Sequence, residues 1–226
     1  RRFRLATTLN VLGLSVSFAA FIIIMMQVRY ERTFDSCHPN VSRIYRIDVD
    51  TKEYKGSTIL TRPFVDAIIQ SSPLVEAGTL FNPFTGEYYF TVLQGQDKVG
   101  FKEPFITCYP EITKMFRFDM VEGNADCLND MEKVLIPESM AHKLFGDGSA
   151  VGQRLNMEES IWSKKTDGFL VVGGVYKDFP GNTQLNNVIY TAIYDDRTKN
   201  DWGSSNYFCY IMLTPDASPE TVADNF

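Results

Sequence analysis

The sequence predicts an α+β protein: one N-terminal transmembrane helix followed by a mixed helix-and-strand domain over residues 31–226. Three observations carry this reading. Leu5–Val28 is a run of 24 residues without a charge. Residues 43–50, 169–176 and 206–214 have the alternating or wholly apolar patterns of half-buried and buried strands. Residues 134–155 read as strand, short helix, glycine-rich loop and strand.

The apolar run is long enough to cross a hydrocarbon core of about 30 Å at about 1.5 Å per residue. Gly13, Ser17 and Ala20 leave room for a neighbouring helix. Arg1, Arg2 and Arg4 precede the span, which predicts a cytoplasmic N-terminus and a periplasmic location for residues 31–226. A cleaved signal peptide fits less well. The run exceeds a signal core, and Met25-Met26-Gln27-Val28-Arg29 leads into YERTF without a small-residue cleavage site. The missing initial Met, and a helix beginning near Ser218 and Pro219 at the end, predict a piece of a longer chain.

The net charge of −6 hides an asymmetry. Residues 1–30 hold four of the 22 Lys and Arg and none of the 28 Asp and Glu, so the remainder carries −10. Phosphate binding needs clustered cations, so nucleic acid is excluded as a partner.

Along the domain, DSCHPN (35–40) ends the helix leaving the membrane, which is expected to run through Tyr30 and Phe34. In residues 43–50 Tyr45, Ile47 and Val49 alternate with charged residues, giving a strand. Pro63 opens a short helix with Phe64, Val65, Ile68 and Ile69 on one face. Residues 74–107 read as strands broken at Asn82-Pro83 and Gly95-Gln96-Asp97, with Tyr88, Tyr89 and Phe90 as an aromatic strand or a stacking platform. Glu111–Phe116 reads as one helical turn and Phe118–Val121 as a strand. Pro137 is placed at the first position of a helix whose apolar face is Met140, Ala141, Leu144 and Phe145, with Gly146 ending it.

Chemistry is hard to find. Gly146, Gly148 and Gly152 follow a helix rather than precede one, and no GxxxxGK[ST] occurs, so they are no phosphate cradle. The adjacent carboxylates Glu158-Glu159 and Asp195-Asp196 would point to opposite faces of a strand. Cys37, Cys108, Cys127 and Cys209 form no CxxC, and only Cys108–Cys127 is spaced for a local bridge. His38 and His142 lack ligand-spaced partners. The sequence therefore assigns no catalytic, cofactor-binding or metal-ligating residue, no cofactor and no enzyme activity.

Three segments together carry a resemblance: YERTFDSCHPNVSRIYRI (30–47) directly after a membrane helix, VLIPESMAHKLFGDGSAVGQRL (134–155), and FLVVGGVYKDFPGNTQL (169–185). Their order resembles the periplasmic core domain of MacB/FtsX-type ABC transporter permeases from Leu5 to Phe226, most specifically at Ala141, Leu144, Phe145, Gly146, Val151 and Gly152. Pro137 and Cys37 depart from the pattern, standing where a small polar cap and an aromatic are expected.

The resemblance implies a permease of the bacterial inner membrane that dimerises with a second copy. It also implies a cytoplasmic ABC ATPase, separate or fused, and, in efflux systems, a periplasmic adaptor and an outer-membrane channel. It implies transmission of ATP-driven motion to the periplasm for export or extraction; the continuous helical pattern predicts a stalk at about residues 26–36 as the mechanical link. It further implies two lobes: a porter-like α/β lobe from 41–104 and 191–226, and an inserted small β-rich lobe from 105–190, after a helix and stalk at 1–40. The alternative function is a membrane-anchored sensor domain of a signalling receptor, which one further membrane helix and a signalling domain after Phe226 would distinguish.

Overall fold

The computed structural model describes residues 2–50, 55–157, 168–193 and 196–223. The chain divides into two units: Arg1–Cys37 with Pro180–Leu185, and His38–Phe179 with Asn186–Phe226. Glu158-Glu159 and Asp195 lie outside the described residues, as does the side chain of Asp196.

The first unit is built on α1 (Arg2–Arg32), a helix of 31 residues and so about 46 Å long, well beyond a hydrocarbon core of about 30 Å. Its apolar side chains are outward: Phe18, Phe21, Ile22, Ile23 and Ile24 are all exposed. The polar residues of the apolar run satisfy themselves within the helix. Thr7, Thr8 and Ser17 donate to the carbonyls of Phe3, Arg4 and Gly13, each four residues back, at 2.9, 2.9 and 2.8 Å.

The helix stops at Arg32, short of the expected Phe34. The reason is a competing acceptor: the Asp35 N–H donates to the Asn182 carbonyl at 2.8 Å in place of a helical carbonyl. Asp35 itself takes a left-handed backbone (φ 57°), which turns the chain out of the helix.

Among the described residues the second unit holds eleven strands, β1 (Ile44–Arg46), β2 (Leu60–Thr61), β3 (Val75–Phe81), β4 (Glu87–Gln94), β5 (Asp97–Cys108), β6 (Met120–Gly123), β7 (Lys133–Pro137), β8 (Arg154–Asn156), β9 (Phe169–Tyr176), β10 (Ile189–Ala192) and β11 (Ser205–Leu213). Four helices accompany them, α2 (Arg62–Gln70), α3 (Ile112–Met115), α4 (Glu138–Phe145) and α5 (Pro219–Ala223). The strand path runs β1-β11-β3-β5-β10-β7-β9-β8-β4 and returns to β5 through the β4–β5 hairpin. Six strands, β4, β5, β10, β7, β9 and β8, therefore form a closed ring, and β1, β11 and β3 extend it as an antiparallel sheet.

Each part has its own core. Inside the ring, Phe90, Val92, Phe105, Val134, Ile136, Leu155, Leu170, Val172 and Ile189 pack together, and α4 adds Met140 and Leu144. Under the sheet, α2 presents Val65 and Ile68 to Leu80, Cys209 and Ile211. The β6–β9 contact needs glycine: a Cβ on Gly123 (φ 68°) would collide with the Gly173 carbonyl.

Several expectations shift. The strand expected over 43–50 shortens to β1, because beyond Ile47, whose N–H still donates to Cys209 at 3.0 Å, Val49 turns to bridge Ser57. Pro137 ends β7 with extended backbone (ψ 154°) and caps α4 rather than opening it. Strand β10 was not expected; all four of its residues are buried, so it shows no alternation. Cys108 and Cys127 do not bridge: Cys108 Sγ faces the Thr191 carbonyl at 3.7 Å and Cys127 Sγ the Val134 carbonyl at 3.8 Å.

Candidate functional site

The densest polar arrangement in the first unit is where α1 ends. Asp35 is only 5% exposed. A buried carboxylate needs donors, and segment 180–185 supplies them: Asp35 Oδ1 accepts from Thr183 Oγ1 at 2.5 Å and from the Gln184 N–H at 2.9 Å. The Asn182 side chain donates to the Thr33 carbonyl at 2.8 Å and to its hydroxyl at 3.0 Å. One residue earlier on the loop, the Gly181 carbonyl accepts from the Tyr30 hydroxyl at 2.9 Å. With the backbone bond from Asp35 to Asn182, four consecutive loop residues hold one helical turn and the bend after it. The carbonyl of Thr33, just past the helix end, thereby gains a donor from a segment 149 positions away in sequence, while those of Arg29, Tyr30 and Glu31 are met by the N–H groups of Thr33 and Phe34.

The chain on either side of that loop belongs to the second unit and is tied at its base. Tyr176, the last residue of β9, donates its hydroxyl to the Val188 carbonyl at 2.8 Å and accepts the Val188 N–H at 3.0 Å. Asn187 accepts the Phe179 N–H at 2.7 Å and donates to the Phe179 carbonyl at 3.1 Å. Around this neck Phe118 meets Tyr176, Phe179 and Tyr190 edge-on at 5.2, 5.2 and 5.4 Å. Burial pushes the Tyr176 and Tyr190 hydroxyls well above their ordinary pKa, so both stay protonated donors.

The chain that follows the stalk directly is anchored too. His38 is buried, its Nδ1 accepting the Arg117 N–H at 3.2 Å, between the rings of Phe116 and Phe179 at 5.2 and 5.7 Å. Arg43 then reaches Glu76 on β3 at 2.6 Å and the Leu213 carbonyl on β11 at 2.7 Å.

The other residues singled out by sequence are scattered. Tyr88, Tyr89 and Phe90 alternate across β4: Tyr88 packs edge-on against Phe105 at 4.6 Å, Tyr89 is exposed over Gly100, and Phe90 is in the ring core. Gly146 and Gly148 line a polar cleft of about 540 Å³ with His142 and Lys143. Burial raises the Cys209 and Cys127 thiols to about 12 and Cys108 further still. Among the described residues, no three or more His, Cys, Asp or Glu side chains gather as a metal site. A trio links α2 to the segment after β5: Arg62 Nε donates to the Tyr109 hydroxyl at 3.0 Å, which donates to Asp66 at 2.5 Å.

Sequence reasoning assigned no residue to the stalk's end. The one local signal was Asp35 at the head of a turn; nothing in the sequence paired it with Thr183.

The chain resembles a solved domain of a permease protein from Porphyromonas gingivalis, with 26% identity over 83% of this chain and 82% of that one and a TM-score of 0.67. It shares its fold with the periplasmic region of MacB from Actinobacillus actinomycetemcomitans, at 10% identity over 85% and 82% of the two chains and a TM-score of 0.52. No curated protein sequence matches it. The MacB-like periplasmic core domain family matches residues 7–226. With an apolar helix leading into a β-rich domain of this fold, and with nearly its whole length matched, the chain belongs to the MacB-like periplasmic core domain family of ABC transporter permeases.

Proposed function

We propose that this chain is the periplasmic core region of a permease that carries ATP-driven motion from a cytoplasmic ABC ATPase to the periplasm, for export or extraction of substrate. Residues 1–4 lie in the cytoplasm and 31–226 in the periplasm on this reading, with a second permease copy completing the membrane part. A periplasmic adaptor and an outer-membrane channel are the further partners of the efflux version. Hydrolysis belongs to the ATPase and not to this region.

The observation that carries the reading is α1 itself. It is helical without interruption from Arg2 to Arg32, and its end is held by hydrogen bonds rather than left to fray. A helix longer than the membrane is thick, tied at its far end, moves as a rod; a flexible linker would dissipate the same displacement.

We place two lobes within the second unit. The first lobe is β1, β2, α2, β3, β11 and α5; the inserted lobe is the closed ring. We propose the boundary between β3 and β4 rather than near residue 105; pairing along the whole β4–β5 hairpin supports keeping both strands in one lobe.

The test replaces Arg29, Glu31 and Arg32 with glycine together. All three are exposed, and Tyr30 and Thr33 remain to hold the loop. Each glycine weakens the helix by about 1 kcal/mol. ATPase activity of the complex should persist while export or extraction falls sharply. Undiminished transport would reduce the domain to a passive docking surface.

A further inference from the structure

The stalk enters the second unit by more than one covalent route. Directly, Cys37 continues into His38 and on to β1, which pairs with β11. Indirectly, segment 180–185 continues at one end into Phe179 and β9, and at the other into Asn186 and β10. Strands β9 and β10 both pair with β7 in the closed ring, whereas β1 belongs to the sheet. The direct route therefore serves the sheet lobe. The indirect route serves the ring lobe, and it exists only while the stalk is bonded to the loop.

We propose that Asp35 is the positioning residue that couples the stalk to the ring lobe, acting as a lock on Thr183 and Gln184; the proposal rests on the transmission reading above. Three features support it. Asp35 is the one buried carboxylate in the first unit among the described residues, and its Oδ1 gathers two donors from consecutive loop residues. Its backbone is left-handed, a conformation that glycine adopts without strain and that Asp tolerates, so the turn and the side-chain bonds meet at one residue. The loop's neck is closed by reciprocal bonds at Tyr176–Val188 and Phe179–Asn187, so a pull on the loop reaches β9 and β10 instead of opening the loop. The His38–Phe179 ring contact gives the direct route a weaker link toward the same strand, so loss of the lock reduces coupling without abolishing it.

The experiment uses the full permease with its ATPase in lipid nanodiscs. A donor dye at position 32 is paired with an acceptor at Gln96, on the hairpin tip of the ring lobe, or at Asp216, beyond β11 in the sheet lobe. Non-canonical amino acids carry the dyes, so the native cysteines stay. The change in transfer efficiency between nucleotide-free and ATP-bound states is read for the parent, Asp35→Gly and Asp35→Asn.

Asp35→Gly keeps the backbone turn and loses the acceptor. Its change at the 32–96 pair should fall about twofold or more, while the 32–216 change persists. Asp35→Asn retains an acceptor oxygen and tolerates the left-handed backbone, so it should restore the 32–96 change. Amide exchange at Gln184 should rise in Asp35→Gly and not in Asp35→Asn. An unaltered 32–96 change in Asp35→Gly, or an equal fall at both pairs, overturns the lock. No nucleotide-dependent change at either pair in the parent overturns the transmission reading instead.

Discussion

Tyr176 and Val188 are joined twice: the tyrosine hydroxyl donates to the Val188 carbonyl and accepts its N–H, across 12 residues of chain. The hydroxyl is fully buried and serves both backbone atoms at once. Removing it leaves a buried N–H and a buried carbonyl short of a partner. Tyr176→Phe should therefore lower stability by about 1–3 kcal/mol. Urea unfolding of the detergent-solubilised protein checks this; a loss below a few tenths would mean that the neck relaxes.

Helix α4 should matter through one face only. Leu144 is fully buried in the ring core, whereas His142 on the same helix is exposed. Leu144→Ala should cost about 2–5 kcal/mol by opening a cavity. His142→Ala should change stability by less than about 0.5 kcal/mol. Equal losses would show that the helix is held by its polar face.

Alkaline pH should destabilise the fold through its buried thiols. Cys209 has its folded pKa raised to about 12 by burial, from 9.0 ordinarily. The acidic proton is bound more tightly in the folded state. Between those two values the unfolded chain holds fewer protons, so stability falls as pH rises. The slope contributed by one such group is about 1.4 kcal/mol per pH unit. The stabilisation is complete below pH 9 and lost progressively above it. Unfolding midpoints from pH 7 to 10.5 should drop less steeply in Cys209→Val than in the parent; parallel curves would contradict the assignment.

Orientation has its own check. Gln96 is exposed at the β4–β5 turn. A cysteine placed there should react with a membrane-impermeant thiol reagent in intact spheroplasts, above the background of the parent chain. Reaction only after lysis would reverse the assigned topology.

What the sequence made legible is what local pattern determines. Strand β9 has the expected bounds, Phe169–Tyr176, because polar residues flank its apolar run in the sequence. Helix α2 with Val65 and Ile68 inward follows from spacing alone. Strand β10 escaped because four residues buried on both faces show no period, and because parallel pairing with β5 is decided by residues more than 80 positions away. The Asp35 lock escaped for the same reason: DSCHPN reads as a turn, and its partner Thr183 sits 148 residues on. The helix end was misjudged by the same contact, since the acceptor that stops it is the Asn182 carbonyl.

The central claim is that α1 moves as a rod from its cytoplasmic end to Arg32. The most direct measurement is the distance between the two copies of position 36, exposed just past the helix, in the proposed permease dimer, by pulsed electron resonance, with and without trapped ATP. In the parent the distance should shift with nucleotide, and in the Arg29, Glu31 and Arg32 triple-glycine variant the shift should collapse while ATP turnover continues. A shift of the same size in both proteins, or none in the parent, would contradict rigid transmission through this helix.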